Sequence, residues 1–413
     1  MTGAVPLLLV LFSPLTQLSF IPISVGLGES TGMSQAQVGI AIGAHALATG
    51  AASLLAGPLL DLLPIRRVLI PSILVSAVVS LWLCFDVTFE SLAVGRTLSG
   101  LATGAVTLCA FALVTDLAHG DGGARDRSFS LLQTFMATGA ATALGLGAAA
   151  AQLDMPAMVF VAGGAYGVVL TILVLVMPEP PRPPSPIADP AVTAGASRVW
   201  LSRLGAVLRG VGTMILQPRM MWLLVCSCLL GLVIQGAHYG VSVLLEASAD
   251  QITLWQRVAL SILIPCGVFT GSSINRRALR KVGRERLYTV FYVLLPVTVL
   301  AYAVLTATSA ALPLVAVGLL CVGTCLGAMM PLSAAIAVGW FVDLRGSATA
   351  AESLARSLGQ TAGPVLVGVV VAAASVELAA FVIACAAVIG GMASLVMNRT
   401  NRRQLDKEPA VTA

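Results

Sequence analysis

The sequence predicts an all-α membrane protein whose 12 transmembrane helices form two pseudo-symmetric six-helix bundles, with both termini cytoplasmic. Three observations predict it. Of 413 residues, 58% are hydrophobic and only 10% charged, and the mean hydropathy is +0.97. A soluble domain carries about 25% charged residues, so this composition excludes a water-soluble fold and equally a disordered chain. Apolar runs of membrane-spanning length recur through the chain, and the basic residues between them keep to alternate loops.

The runs fall at about 4–26, 36–60, 68–86, 91–117, 129–151, 156–177, 220–245, 253–274, 287–306, 312–338, 347–373 and 378–397. Lipid leaves helices as the way to satisfy their backbone groups, and the alternating pattern of a β-barrel is missing. The first run starts almost at Met1 without a basic leader, so it is expected to be a retained span and not a cleaved signal.

Orientation is read from 23 Lys and Arg. Arg96, Arg257 and Arg356 lie inside spans. The others are Arg66 and Arg67, Arg125 and Arg127, Arg182 to Arg219, Arg276 to Arg286, Arg345, and Arg399 to Lys407. The intervening loops carry Glu29, Asp86, Glu90, Asp154, Glu246, Asp250 and Glu377 and no base. The positive-inside rule places the basic face in the cytoplasm, as expected of a multi-pass protein of the cytoplasmic membrane. The net charge of +5 then faces anionic lipid and not nucleic acid.

The segment from Pro178 to Pro186 is too Pro-rich for a helix and reads as an extended connector. After it, Leu201, Leu204, Leu208 and Val211 share a face flanked by Arg198, Arg203 and Arg209, the pattern of a surface helix on the inner leaflet or of a partner-binding helix. The expected divisions are a six-helix bundle over 1–177, a cytoplasmic connector over 178–218, a second bundle over 219–398 and a cytoplasmic tail over 399–413.

The two halves repeat each other. Gly57, Asp61, Arg66 and Arg67 follow span 2; Gly271, Asn275, Arg276 and Arg277 follow span 8. Span 5 begins after Arg125 and carries Gly139; span 11 begins after Arg345 and carries Gly359 at the same offset. Parallel six-helix repeats are a transporter architecture with the substrate at the repeat interface. Over essentially its whole length the chain resembles the major facilitator superfamily of secondary transporters. Gly57, Asp61, Arg66 and Arg67 are similar to its loop motif between spans 2 and 3, with Pro64 where Gly is common. Arg96, Gly100 and Gly104 resemble its span-4 motif, and Arg345, Gly346, Gly359, Gly363, Pro364 and Gly368 its span-11 motif. Two features depart from its proton-coupled exporters: span 5 lacks Gly-Pro, and span 1 lacks an acid, offering Thr16 and Gln17 instead.

The physics of these motifs is separable from the resemblance. Asp61 beside Arg66 and Arg67 forms a charge cluster that pairs in one conformation and breaks in another, a cytoplasmic gate; a plain topology signal is the alternative. Gly100 with Gly104, and Gly359 with Gly363, are small-xxx-small pairs for close helix packing. Polar groups in lipid are costly, so the intramembrane ones are candidates for a substrate and coupling path: Gln17, His45, Arg96, Gln133, Gln235, His238, Tyr239, Arg257, Glu352, Arg356 and Gln360. The resemblance implies that spans 1, 4, 7 and 10 line the cavity, which favours a cavity role for Arg96. Arg257, about one turn from a helix end, is expected to snorkel. The histidines and glutamines also suit interhelical hydrogen bonds. Glu352 and Arg356 lie four apart on one face. At about 1.5 Å per residue, Arg356 lies about 16 Å in from Arg345, near the middle of a core about 30 Å thick. They read either as a structural ion pair or as a coupling pair.

No P-loop, zinc-binding histidine pair or nucleophile elbow is present, so no enzyme is expected. Cys321 and Cys325, four apart, lack further ligands and read as core thiols; all 8 cysteines sit in apolar runs, so neither a metal site nor a disulfide is expected. The expectation is a monomeric secondary transporter of a small organic molecule with protons as coupling ion, working in membrane lipid without a cofactor. A proton-coupled exporter comes first, a proton-linked metabolite importer second, and a non-transporting adaptor or sensor of the same architecture third.

Overall fold

The computed structural model describes residues 4–117, 122–177, 202, 205, 209–210, 212–279, 281–308, 311–341 and 345–405. Most of the connector, including the apolar face of its amphipathic stretch, lies outside them. Among the described residues, 12 helices are long and apolar enough to cross a membrane, and no strand occurs.

Span 1 is two helices, Ala4–Leu18 and Phe20–Thr31. Spans 2 to 6 are Gln35–Leu62, Ile65–Trp82, Phe89–Leu117, Gly122–Gln152 and Ala157–Val176. Spans 7 to 12 are Pro218–Ala247, Leu254–Ala278, Arg284–Ala307, Leu312–Trp340, Arg345–Ala373 and Val376–Leu405. The last helix continues past residue 397, carrying Arg399 and Arg402 in helical conformation.

Local chemistry sets the ends. The turn after span 1 closes on Gly32 at φ +71°, where a left-handed conformation suits glycine, and Met33 donates back to the Gly28 carbonyl. Pro218 opens span 7, where its missing N–H costs nothing. Span 2 starts with a reciprocal cap, Ser34 N–H to Gln37 Oε1 (2.8 Å) and Gln37 N–H to Ser34 Oγ (3.3 Å). Span 8 starts with the same device at Thr253 and Gln256 (2.8 and 3.3 Å). The repeat between the halves therefore extends to how corresponding helices begin.

The break in span 1 has an identifiable cause. Pro14 and Pro22 remove two backbone donors from the span. Thr16 Oγ1 and Ser19 Oγ bond back to the carbonyls of Phe12 and Leu15, which bends helices. Arg96 of span 4 then inserts into the ladder, Nη1 donating to the Thr16 carbonyl (2.6 Å) and Nη2 to that of Gln17 (3.0 Å).

Within the bundles, glycines bring backbones together. A Cβ on Gly359 would overlap the Cys228 carbonyl of span 7, and one on Gly100 would overlap the His45 carbonyl of span 2. The bundles meet along three seams: span 2 on span 11, span 5 on span 8, and the second half of span 1 on span 7. On the first seam, a Cβ on Gly43 would reach 2.8 Å from the Thr361 carbonyl. Lipid tails are as apolar as side chains, so close van der Waals contact of this kind drives helix association in a membrane.

Candidate coupling site and bundle interface

The structure gathers the intramembrane polar residues into three clusters. The first lies inside the N-terminal bundle. His45, fully buried on span 2, places Nε2 at 3.3 Å from Thr103 Oγ1, while its Nδ1 has no hydrogen-bond partner. Arg96, 3% exposed, grips the span-1 carbonyls and lies over the Phe20 ring at 4.8 Å. It borders a small cavity with Thr16, Ser19, Ser80, Ser99 and Phe160, between spans 1, 3, 4 and 6. The guanidinium faces the interior of its own bundle and braces the break in span 1. Gln17 is half-buried and contributes its carbonyl; the Gln133 side chain lies outside the described residues.

The second cluster lies inside the C-terminal bundle, toward its basic end. Glu352 of span 11 is fully buried. Its Oε1 accepts from Ser333 Oγ of span 10 (2.7 Å) and pairs with Arg356 Nη1 (3.3 Å), whereas Oε2 has no hydrogen-bond partner. Arg356 is 22% exposed, whereas Glu352 is fully buried. Tyr288 of span 9 is buried within electrostatic reach of both, its hydroxyl unpartnered. The sequence reading missed Ser333 and Tyr288, because they stand on spans 10 and 9 and nothing along the chain shows that these helix faces meet Glu352. On span 7, Gln235 and His238 share a helix face and are buried. His238 Nδ1 donates to the Ile234 carbonyl (2.8 Å), which leaves Nε2 of the neutral ring as an acceptor. That nitrogen and Gln235 Nε2 have no partner. Gln360 is half-buried one turn beyond Arg356.

The third cluster crosses between the bundles at the end marked by acidic loops. Arg257 of span 8 is 2% exposed and paired with Glu246 of span 7, and its Nη1 donates to Gln152 Oε1 of span 5 (3.2 Å). The expected snorkelling therefore does not occur: a carboxylate within reach makes burial cheaper than stretching to the interface. Tyr239 of span 7 donates its hydroxyl to Gln35 of span 2 (Oε1 2.6 Å, carbonyl 3.2 Å).

At the basic end, Gly57 and Asp61 lie in the last turns of span 2, and the side chain of Asp61 lies outside the described residues. Arg66 is half-buried, Arg67 and Arg277 are exposed, and the Arg276 side chain is not described. Asn275 is buried with Oδ1 unpartnered. Gly271 abuts the Thr324 carbonyl of span 10, so it packs helices within its bundle. Gly104 packs on Thr49 and Ala52 of span 2, Gly139 on Leu11 of span 1, Gly363 on Leu232 of span 7, and Pro364 on Gly39 across the bundle interface.

No curated protein sequence matches the chain. A solved structure of a mutant of the nucleoside transporter NupG is similar in fold, with a TM-score of 0.72 at 15% identity, covering 96% of this chain and 100% of that one. The sequence profile of the Major Facilitator Superfamily matches residues 7–325 and 248–412. With two six-helix bundles and twelve apolar spans, the chain belongs to the Major Facilitator Superfamily and is a multi-pass membrane transporter of a small molecule, not an enzyme.

Proposed function

We propose that the protein is a proton-coupled exporter that moves a small organic molecule across the cytoplasmic membrane by alternating access, with Glu352 as the proton carrier. The observation that carries this reading is the fully buried Glu352 carboxyl, which has one oxygen held by Ser333 and Arg356 and the other without a partner. Loss of the proton tightens the grip of Glu352 on Arg356, and its return frees the guanidinium. Because the two protonation states favour different side-chain arrangements, a proton arriving from one side biases the two-state equilibrium of the bundles.

The buried Gln235 and His238 side chains on span 7 support an uncharged polar substrate. Gln235 offers a donor and His238 an acceptor on one helix face, complementary to a molecule carrying an adjacent acceptor and donor. The basic face is cytoplasmic in this reading, both termini lie on it, and the chain acts as a monomer.

A thermal-shift screen of uncharged amphipathic compounds on the purified protein identifies the substrate. Flux in proteoliposomes of known orientation under imposed pH gradients then tests the function. Efflux from the basic-face side that accelerates when the opposite compartment is acidified supports exchange. Uptake toward the basic face driven by the same gradient would replace it with a symporter, and absence of flux for every binder would remove transport of those compounds.

A further inference from the structure

Arg257 and Arg356, two of the arginines placed inside the apolar runs, each pair with a carboxylate, Glu246 and Glu352 respectively. Arg96 does not. It is 3% exposed, and among the described residues no acid pairs with it. Its Nη1 and Nη2 rest on the neutral carbonyls of Thr16 and Gln17, and its Nε–H has no acceptor. His45, within electrostatic reach, supplies no negative charge. A buried charge without a counter-charge is costly, so buried charges are paired or hold an ion. Arg96 borders a cavity of about 20 Å³ together with Ser80 and Ser99. About 10–15 Å³ suffices for one water, so the space suits a single particle of that class and is too small for an organic anion. The polar lining is particular to this bundle. Arg96 and Ser99 stand 7 and 10 residues after Phe89, the first residue of span 4; Leu319 and Val322 stand 7 and 10 after Leu312, the first of span 10. Leu319 and Val322 border the corresponding cavity of the C-terminal bundle, whose lining is mostly apolar.

We infer that the cavity beside Arg96 is a binding site for one small inorganic anion of the chloride class, which neutralises the guanidinium inside the N-terminal bundle. Arg96 donates Nε–H to the ion and keeps both span-1 carbonyls on its other nitrogens. Ser99 supplies a second donor. Its Oγ lies 3.2 Å from Ser76 Oγ, and either hydroxyl can be the donor; with Ser76 donating, the Ser99 proton is free to turn to the ion. Ser80 has its proton on the Ser76 carbonyl (2.8 Å) and forms part of the wall. Both contacts to the ion are charge-assisted, the strong class of hydrogen bond. The cavity lies where span 3 ends, at Leu83, and span 6 begins, which puts it near the acid-marked end and sets the side from which the ion enters. Glu352 belongs to the other bundle, so the inference is independent of the proton carrier proposed above.

The test is chloride binding to the purified full-length protein, read in two ways. Melting is followed as sodium chloride replaces sodium gluconate at constant ionic strength, and radioactive chloride retained by the protein is counted at equilibrium. Tm should rise with chloride and level off, as for any ligand that binds the folded state. Bromide should substitute for chloride, gluconate is too large to enter, and one chloride should be retained per chain. Ser99→Ala leaves the guanidinium in place and removes one donor; it should raise the half-saturating chloride concentration about tenfold. Arg96→Gln removes the charge and should abolish the dependence of Tm on chloride, whatever its Tm in gluconate. Where Arg96→Gln fails to fold, Ser99→Ala decides alone. Equal Tm in chloride and gluconate would overturn the site and leave the cavity to water. A chloride response that either variant leaves unchanged would also overturn it, by placing the bound ion elsewhere on the protein.

Discussion

Glu352→Gln is the perturbation that separates a coupling carboxylate from a structural one. The substitution exchanges Oε2 for an amide nitrogen and preserves side-chain volume. Oε1 remains to accept from Ser333 Oγ, now at 2.7 Å. The charge opposite Arg356 disappears, and with it a charge-assisted contact of about 1.5–3 kcal/mol. The loss stays below the roughly 3–5 kcal/mol of a fully buried pair broken on one side, because Arg356, 22% exposed, is only partly buried. The protein is therefore expected to fold and to bind substrate. Coupling behaves differently. With one proton exchanged per substrate, a gradient of one pH unit supplies about 1.4 kcal/mol, enough for about tenfold accumulation. In Glu352→Gln proteoliposomes that ratio should fall to about one, while substrate exchange at equal pH continues, since it needs no proton turnover. Accumulation that survives the substitution at the wild-type ratio would refute the assignment, and His45, the buried titratable group of the other bundle, would take its place for the same assay.

Three further outcomes follow from the packing and the charge pattern. Gly359→Ala drives a methyl into the Cys228 carbonyl and should destabilise the protein by about 1–3 kcal/mol, read as a lowered Tm, whereas Gly240→Ala, with open space at its Cβ, should leave Tm unchanged. Arg96→Lys cannot reach the Thr16 and Gln17 carbonyls with two separate nitrogens; it should cost about 1–3 kcal/mol of stability and raise hydrogen exchange around the span-1 break. Single cysteines replacing Ser185 and Asp154, in a background without other reactive thiols, should respond oppositely to an impermeant reagent in intact cells, Asp154→Cys reacting and Ser185→Cys not; the reverse pattern would invert the orientation.

The sequence by itself determined the class of protein and its plan. Lipid admits few alternatives, so length and apolarity alone located twelve helices, and the alternation of Arg with acid along the loops indicated one orientation. The small-xxx-small pairs were legible because close backbone approach in a membrane demands glycine at a fixed helical spacing, and Gly100, Gly104, Gly359 and Gly363 all serve it. What each polar side chain faces was decided by tertiary structure alone. Helical spacing places Arg96 on span 4, but only the break in span 1 supplies the two carbonyls it braces. Arg257 looked free to snorkel because its partners, Glu246 and Gln152, stand on two other helices. Glu352 and Arg356 could be paired from sequence because they are four residues apart on one helix, while Ser333 and Tyr288 could not, since a hydroxyl from a distant span enters the site only when the bundle closes. Local interactions are written along the chain with the helix period; desolvation and hydrogen bonding between spans depend on which helices become neighbours, and packing fixes that.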